Sequence, residues 1–264
     1  MYTESLFSIK DKVVLVTGGG RGIGCMIAEG FVKSGCKVYI CSRKEKNIKE
    51  IAEKLTKEGP GTCHYIAADL SKIEGVDHLA EQLSQREKKL HVLVNNSGAT
   101  WGEPFENFPV KAYDKVMDLN VKSVFFLTQK CLPLLREAGT EEDPARVINI
   151  GSMSGILTIT PLTTAYEASK AALHHLSKVL GGNLAPQHIT VNTVAYGYFH
   201  TDMMKGTAEA AGDAIFNNIP MNRSGKPEEA AGVCLFLSSR ASAYITGATI
   251  SVDGGAVTGA KNNL

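Results

Sequence analysis

The chain has 264 residues, of which 44% are hydrophobic and 21% charged, and its formal net charge is +1. This balance argues against a nucleic-acid partner, because nucleic-acid-binding proteins usually carry a strongly basic surface. We also expect no membrane association, since no apolar run is long enough to span a bilayer and no signal peptide is recognisable. Six scattered cysteines form no CxxC pair, so we expect reduced thiols in a cytoplasmic protein without a metal site.

Short apolar runs alternate along the chain with longer amphipathic stretches. The apolar runs predict strands over residues 12–17, 37–41, 63–67, 90–94, 146–150, 190–195 and 248–252. The amphipathic stretches predict helices over residues 22–34, 44–58, 73–88, 113–137 and 164–184, with another starting after Arg223. Continuous apolar strands are typical of a parallel sheet that is covered on both faces. We therefore predict an α/β protein, a single Rossmann-type domain over residues 1–264 with a doubly wound parallel sheet of about seven strands.

One long segment interrupts this alternation. Residues 197–223 separate the sixth predicted strand from the last helix, and they include Gly206, Gly212 and Pro220. Because long insertions beside a nucleotide site often act as lids, we predict that this segment covers the substrate.

A glycine-rich loop joins the first predicted strand to the first long helix. It reads Thr17-Gly18-Gly19-Gly20-Arg21-Gly22-Ile23-Gly24. Glycines allow a tight turn and a close approach of the backbone to a pyrophosphate, and the helix N-terminus supplies unpaired N–H groups. Glycine clusters also mark ordinary turns, but this position between strand and helix favours a dinucleotide site.

The residues after the second strand indicate which dinucleotide binds. NAD enzymes of this fold usually have an acidic residue there for the ribose 2′-hydroxyl. This chain has Ser42 and Arg43 instead, and Arg21 lies in the glycine loop. Guanidinium groups suit bidentate contact with a 2′-phosphate, so we predict NADP(H). The alternative is that both arginines are solvated surface charges.

Tyr166 and Lys170 lie four residues apart on a predicted helix and therefore share one face. A phenol normally has a pKa of about 10, and a nearby ammonium group would lower the pKa of Tyr166 toward neutral pH. This pair predicts an acid/base group, although such spacing more often reflects packing beside a solvated lysine.

Ser152 strengthens the prediction, because it follows the fifth strand at the carboxyl edge where open α/β sheets bind ligands. Its hydroxyl could stabilise developing negative charge on a carbonyl oxygen. Ser154 is either a second substrate contact or a simple loop serine. We interpret His174 and His175, which continue the Lys170 helix, as packing or subunit-interface residues and not as bases.

The spacing TGxxxGxG at Gly18, Gly22 and Gly24, with Tyr166 and Lys170 in the right order, resembles the classical short-chain dehydrogenase/reductase family. The resemblance covers residues 12–255, and it is most similar to 3-oxoacyl-[acyl-carrier-protein] reductases and rhamnolipid-type β-ketoacyl reductases. It implies a catalytic tetrad in which an asparagine carries a water-linked proton relay. The tetrad implied for this chain is Asn120, Ser152, Tyr166 and Lys170.

The resemblance also implies cofactor contacts beyond the glycine loop and the two arginines, with Asp69 near the adenine and Thr201 near the nicotinamide. The complete predicted NADP(H) set is Gly18, Gly20, Arg21, Gly22, Ile23, Gly24, Ser42, Arg43, Asp69, Leu70, Asn96, Gly98, Tyr166, Lys170, Gly197, Phe199 and Thr201.

The chain departs from the family pattern after the sixth strand, where Tyr196 replaces a proline. A proline would fix φ and stiffen the turn, and a tyrosine does not. We therefore predict that Tyr196, Tyr198, Phe199 and Met203 form the wall of an apolar substrate pocket.

Together these features predict an NADPH-dependent ketoreductase or secondary alcohol dehydrogenase that acts on 3-oxoacyl or β-keto ester substrates, as a homotetramer or homodimer. One alternative is a reductase or dehydrogenase of a sugar, polyol, steroid or secondary-metabolite ketone. Another is a non-catalytic NADP-binding sensor, although a sensor need not keep Tyr166 and Lys170.

Overall fold

The computed structural model describes residues 2–201, 216–217 and 219–259. Seven parallel strands form one sheet in the order β3-β2-β1-β4-β5-β6-β7. The strands are Val13–Thr17 (β1), Lys37–Ser42 (β2), Thr62–Ala67 (β3), Val92–Asn95 (β4), Ala145–Ile150 (β5), Ile189–Tyr196 (β6) and Thr249–Val252 (β7). The predicted doubly wound sheet is confirmed. The strand order reverses between β1 and β4, and such switch points are where open sheets bind ligands.

Eight α-helices accompany the sheet in the described part of the chain. They are Tyr2–Phe7 (α1), Gly22–Lys33 (α2), Glu45–Glu58 (α3), Ile73–Ser84 (α4), Val110–Met117 (α5), Ser123–Ala138 (α6), Thr164–Leu184 (α7) and Pro227–Ser238 (α8). In those same ranges, none is long and apolar enough to cross a membrane.

The four central strands, β1, β4, β5 and β6, are buried at every position, and most of their residues are apolar. In β1, Val14 and Val16 face a core that includes Phe31 of α2 and Leu237 of α8. Leu15 between them faces a second core beneath α4 and α6. This arrangement explains why a continuous apolar run, and not an alternating one, marks the strands of this protein.

The predicted helix over residues 113–137 is not continuous. A π-helical segment, Asp118–Lys122, joins α5 to α6 and carries the buried Asn120. A π segment inserts an extra residue into the turn, and such insertions occur often at functional sites. The segment contains neither proline nor glycine, so the sequence alone does not reveal it.

Tyr196 and Phe199 do not line a substrate pocket, and this part of the prediction is wrong. Tyr196 is only 2% exposed, and its hydroxyl donates to the Ala230 carbonyl of α8. The Phe199 ring packs against it edge to face, with the centroids 5.3 Å apart. The reason is that β6 extends to Tyr196, so strand alternation places this side chain on the same core face as Val194.

We predict that Tyr196→Phe lowers the free energy of unfolding by about 1 kcal/mol, because one buried hydrogen bond is lost. Turnover with each substrate should stay unchanged, since the ring lies in the core. Urea unfolding and a substrate panel would measure both effects, with the fully exposed Tyr244→Phe as the control. An altered substrate profile at unchanged stability would restore the pocket interpretation.

Candidate active site

The four residues of the predicted tetrad lie together at the carboxyl edge of the sheet. Ser152 follows β5, Tyr166 and Lys170 lie one turn apart on α7, and Asn120 lies on the π segment. The Lys170 ammonium lies over the Tyr166 ring, 5.6 Å from its centroid. A Cβ atom at Gly98 would lie 3.3 Å from Asn120 Oδ1 and 3.8 Å from Lys170 Nζ. Gly98 therefore leaves space between the π segment and α7.

The side chain of Asn120 makes three hydrogen bonds within the protein. Its Oδ1 accepts from the Ala99 N–H at 2.8 Å, and its Nδ2 donates to the Ala99 carbonyl at 2.9 Å. The same Nδ2 donates to Ser169 Oγ at 2.9 Å, and Ser169 Oγ donates to the Tyr166 carbonyl. Asn120 thus ties the loop after β4 to the helix that carries Tyr166.

Burial raises the pKa of Tyr166, and the neighbouring Ser152 hydroxyl lowers it by less. We predicted the opposite direction from the nearby Lys170, and that prediction is wrong for this form of the protein. The phenol is enclosed, so its anion loses the stabilisation that water would provide. At neutral pH the Tyr166 hydroxyl therefore keeps its proton, which suits a group that donates one.

Lys170 is 5% exposed, and its Nζ donates to the Ile150 carbonyl at 2.7 Å. Burial lowers the pKa of this ammonium group from 10.5 to about 8. The amine is still mostly charged at neutral pH, but burial of this charge lowers the free energy of unfolding.

We predict that this cost can be measured as a pH-dependent difference between the wild type and Lys170→Met. Between pH of about 8 and 10.5 the unfolded chain binds more protons at Lys170 than the folded chain does, so the stability of the wild type rises with pH. The stability difference between the two proteins should shift by about 3 kcal/mol in favour of the wild type between about pH 7 and pH 10.5.

Urea unfolding at both pH values measures this shift. Lys178→Met, which removes an exposed amine from the same helix, serves as the matched control and should show no comparable change. If the free energies of unfolding of the wild type and Lys170→Met changed equally with pH, the lowered pKa of Lys170 would be contradicted.

The glycine loop has the backbone geometry that a dinucleotide requires. Gly18 and Gly22 adopt positive φ values of 67° and 54°, which residues with a side chain rarely adopt. Helix α2 begins at Gly22, and the preceding Arg21 supplies no side-chain cap, so its first N–H groups are free to bind an anion. The residues present therefore fit a pyrophosphate.

Residues around this loop support it in different ways. Asn96 Nδ2 donates to the carbonyls of Thr17 at 2.9 Å and Gly18 at 3.3 Å, so its amide nitrogen holds the loop itself. A Cβ atom at Gly22 would lie 3.4 Å from the Thr201 side chain, which brings Thr201 against the loop. Asn96 therefore acts on the loop backbone, and Thr201 lies beside Gly22 of the loop.

The predicted adenine and 2′-phosphate contacts lie at the end of β2 and β3. Arg21 and Arg43 are both exposed, and Ser42 is partly buried. Burial opposes ionisation of Asp69, but hydrogen bonds from Ser71 and the charge of Arg43 lower its pKa overall.

Some of the residues predicted to contact the cofactor have their side chains in the core. Leu70 is buried beneath α4 and Phe199 is buried beneath α8, so only their backbone atoms could reach a cofactor. Ile23 likewise packs against the first core. Gly197 approaches Asp253 so closely that a Cβ atom would lie 2.7 Å from its Cα.

The predicted substrate residues are dispersed. Ser154 lies in the loop after β5, and its N–H donates to Ser152 Oγ at 3.1 Å. Tyr198 lines a cleft with Met221, Arg223 and Asp253, and that cleft includes none of the tetrad. Tyr198 is therefore not placed as a substrate wall. Met203 and most of the proposed lid lie outside the described residues.

A structure of a short-chain type dehydrogenase/reductase from Mycobacterium marinum superposes on this chain with a TM-score of 0.88 at 30% identity, covering 96% of this chain and 98% of that one. A family model described as enoyl-(acyl carrier protein) reductase matches residues 18–257. The chain belongs to the short-chain dehydrogenase/reductase family. The predicted enzyme class, an oxidoreductase acting on CH–OH groups, is confirmed.

Two further comparisons place the chain within this short-chain dehydrogenase/reductase family. The rhamnolipids biosynthesis 3-oxoacyl-[acyl-carrier-protein] reductase of Pseudomonas aeruginosa is 45% identical over 251 residues, which cover 94% of this chain and 97% of that protein. A Pseudomonas aeruginosa RhlG/NADP active-site complex superposes with a TM-score of 0.92 at 44% identity, covering 96% of this chain and 99% of that one. The predicted resemblance to rhamnolipid-type reductases is confirmed.

Proposed function

We propose that this protein is an NADPH-dependent ketoreductase that reduces a 3-oxoacyl thioester or a β-keto ester to the 3-hydroxy compound. The observation that carries the proposal is the grouping of Ser152, Tyr166 and Lys170 at the carboxyl edge of the sheet, the same edge at which the uncapped glycine loop follows β1. The similarity to a 3-oxoacyl-[acyl-carrier-protein] reductase supports the substrate class.

Each polar group of the tetrad has a role in this proposal. Bound NADPH would supply the hydride to the carbonyl carbon. The Ser152 hydroxyl donates to the carbonyl oxygen and stabilises its developing negative charge. Tyr166 gives its proton to that oxygen, and the Lys170 ammonium stabilises the resulting phenolate. Asn120 supports a water-linked relay that returns the proton.

NADP(H) as the cofactor is supported by the charges around the end of β2. Arg21 and Arg43 are exposed there, and the strand ends on Ser42 where an NAD enzyme would have a carboxylate. The RhlG structure, which superposes closely on this chain, is an NADP complex.

A lipophilic substrate is supported by apolar side chains beside the tetrad. The loops after β4 and β5 are joined by a hydrogen bond from the Glu103 N–H to the Leu162 carbonyl at 2.9 Å. These loops expose Trp101, Ile156 and Leu162 by 40%, 46% and 46%. Such exposed side chains beside a reaction site suit an acyl chain better than a sugar.

A homo-oligomer, either a tetramer or a dimer, is also part of the proposal. Val110 and Tyr113 of α5 and Phe125 of α6 are exposed, and large apolar side chains concentrated on neighbouring helices are typical of subunit interfaces.

A single assay tests the proposed function. The loss of NADPH absorbance is followed with 3-oxoacyl thioesters and β-keto esters of increasing chain length, cyclic ketones, a steroid ketone and sugars. We expect turnover with the first two classes and a rise in kcat/KM with chain length. Turnover confined to sugars or steroids would overturn the substrate class, and tight NADPH binding without turnover of any ketone would identify a sensor.

A further inference from the structure

His174 lies one turn beyond Lys170 on α7 and faces the loop that follows β5. Its Nε2 atom accepts a hydrogen bond from the Ser152 N–H at 3.3 Å. A ring nitrogen that accepts must be unprotonated, so the imidazole is neutral and carries its hydrogen on Nδ1. Burial, followed by the charge of Lys170, lowers the pKa of His174 to about 4, which keeps the ring neutral at physiological pH.

The loop is shaped to receive this ring. A Cβ atom at Gly151 would lie 2.3 Å from His174 Nε2, and one at Gly155 would lie 2.7 Å from His174 Cε1. Neither glycine has a positive φ, so glycine is required at both positions for space and not for backbone conformation. Gly151, Gly155 and His174 therefore form one packing unit around Ser152.

Two contacts then fix Ser152. His174 holds its N–H, and its Oγ accepts from the Ser154 N–H at 3.1 Å. Because Oγ already accepts from that N–H, its own hydrogen is available to donate. The Ser152 hydroxyl is also within hydrogen-bond reach of the Tyr166 hydroxyl, so the two groups lie side by side where a carbonyl oxygen could meet both.

We propose that His174 is a positioning residue, which acts by holding the Ser152 main chain so that the Ser152 hydroxyl is aimed at the substrate carbonyl. This inference rests on the proposed ketone reduction and adds to it a residue outside the tetrad. From the sequence we interpreted His174 as a packing or subunit-interface residue, and the proposal gives it a more specific role. A small displacement of a group that contacts the transition state can lower the rate by about 100-fold.

Three variants test the proposal. His174→Leu keeps the volume but removes the acceptor, and it should lower kcat by about 10- to 100-fold while the Kd for NADPH stays unchanged. His174→Gln places an acceptor near the position of Nε2 and should recover most of kcat. The matched control is His175→Leu, which removes the adjacent exposed histidine and should leave kcat unchanged.

A double-mutant cycle separates positioning of Ser152 from a general loss of structure. If His174 acts through Ser152, His174→Leu should have little further effect on kcat when Ser152 is already alanine. The proposal would be overturned if the two single losses of kcat multiplied in the double variant. It would also be overturned if His174→Leu and His174→Gln lowered kcat equally.

The tautomer of His174 supplies a readout that does not depend on turnover. In the wild type labelled with ¹³C and ¹⁵N, with the His174 ring resonances assigned through bonds from its own backbone, we expect protonated Nδ1 and unprotonated Nε2. A protonated Nε2 would overturn the proposal even if all variants failed to fold. A wild type that reduces no ketone would instead overturn the proposed function and leave the tautomer result standing.

Discussion

Tyr166→Phe is expected to lower kcat for ketone reduction by about 10²- to 10⁴-fold, the range that a positioned acid/base group contributes. The phenol is partly buried beside Ser152, and this loss of water raises its pKa, so the hydroxyl keeps its proton at neutral pH. Removal of the hydroxyl leaves the developing alkoxide without that proton donor. Single-turnover oxidation of NADPH with a β-keto ester would measure the loss at saturating concentrations of both substrates.

The Kd for NADPH should change little in this variant, because the aromatic ring and its contact with the Lys170 ammonium are kept. A calorimetric titration gives this Kd, and Tyr198→Phe, which alters a half-buried tyrosine in a different cleft, serves as the control for kcat. If Tyr166→Phe kept more than about a tenth of the wild-type kcat, another group would have to deliver the proton.

The protonation states of Tyr166 and Lys170 at neutral pH fit the proposed reduction. Reduction begins with a neutral phenol and a charged lysine, and both are the forms that prevail at neutral pH, given the raised pKa of Tyr166 and the pKa of about 8 at Lys170. Alcohol oxidation would begin with the phenolate, which burial disfavours. At neutral pH the site therefore holds the protonated phenol from which reduction starts.

The sheet was predictable because its physical cause is visible in the sequence. The runs of β1 and β4 are apolar up to their last residue, and this pattern is typical of strands that are covered on both faces. Tyr166 and Lys170 were predictable for a similar reason, since helical spacing alone places them on one face.

Other features depend on contacts between distant parts of the chain. The predicted β6 ended one residue early, and that single residue decides whether Tyr196 lies in a loop or on the core face beneath α8. The pKa direction of Tyr166 depends on how completely the surrounding loops exclude water. The role of His174 depends on two glycines more than eighteen residues away. No local pattern carries this information.

Arg43→Ala is expected to raise the Kd for NADPH by about 10- to 100-fold, because a hydrogen bond to a charged group contributes about 1.5–3 kcal/mol. Arg43 is exposed at the end of β2, where its charge also lowers the pKa of Asp69, so the guanidinium lies near the expected adenosine site. Arg21→Ala should have a similar effect. The Kd for NADH, which lacks the 2′-phosphate, should change by less than about threefold in either variant, a difference of under about 1 kcal/mol.

Calorimetric titration of both dinucleotides distinguishes phosphate recognition from a general weakening of the site. Lys49→Ala removes an exposed cation from α3 and controls for the loss of one positive charge near this edge. The affinity for NADPH should also fall more steeply with salt in the wild type than in Arg43→Ala, because charges at an exposed site are screened. If the wild type bound NADH as tightly as NADPH, or if Arg43→Ala weakened both equally, the two arginines would be ordinary surface charges, and the loop after β2 would carry no selectivity.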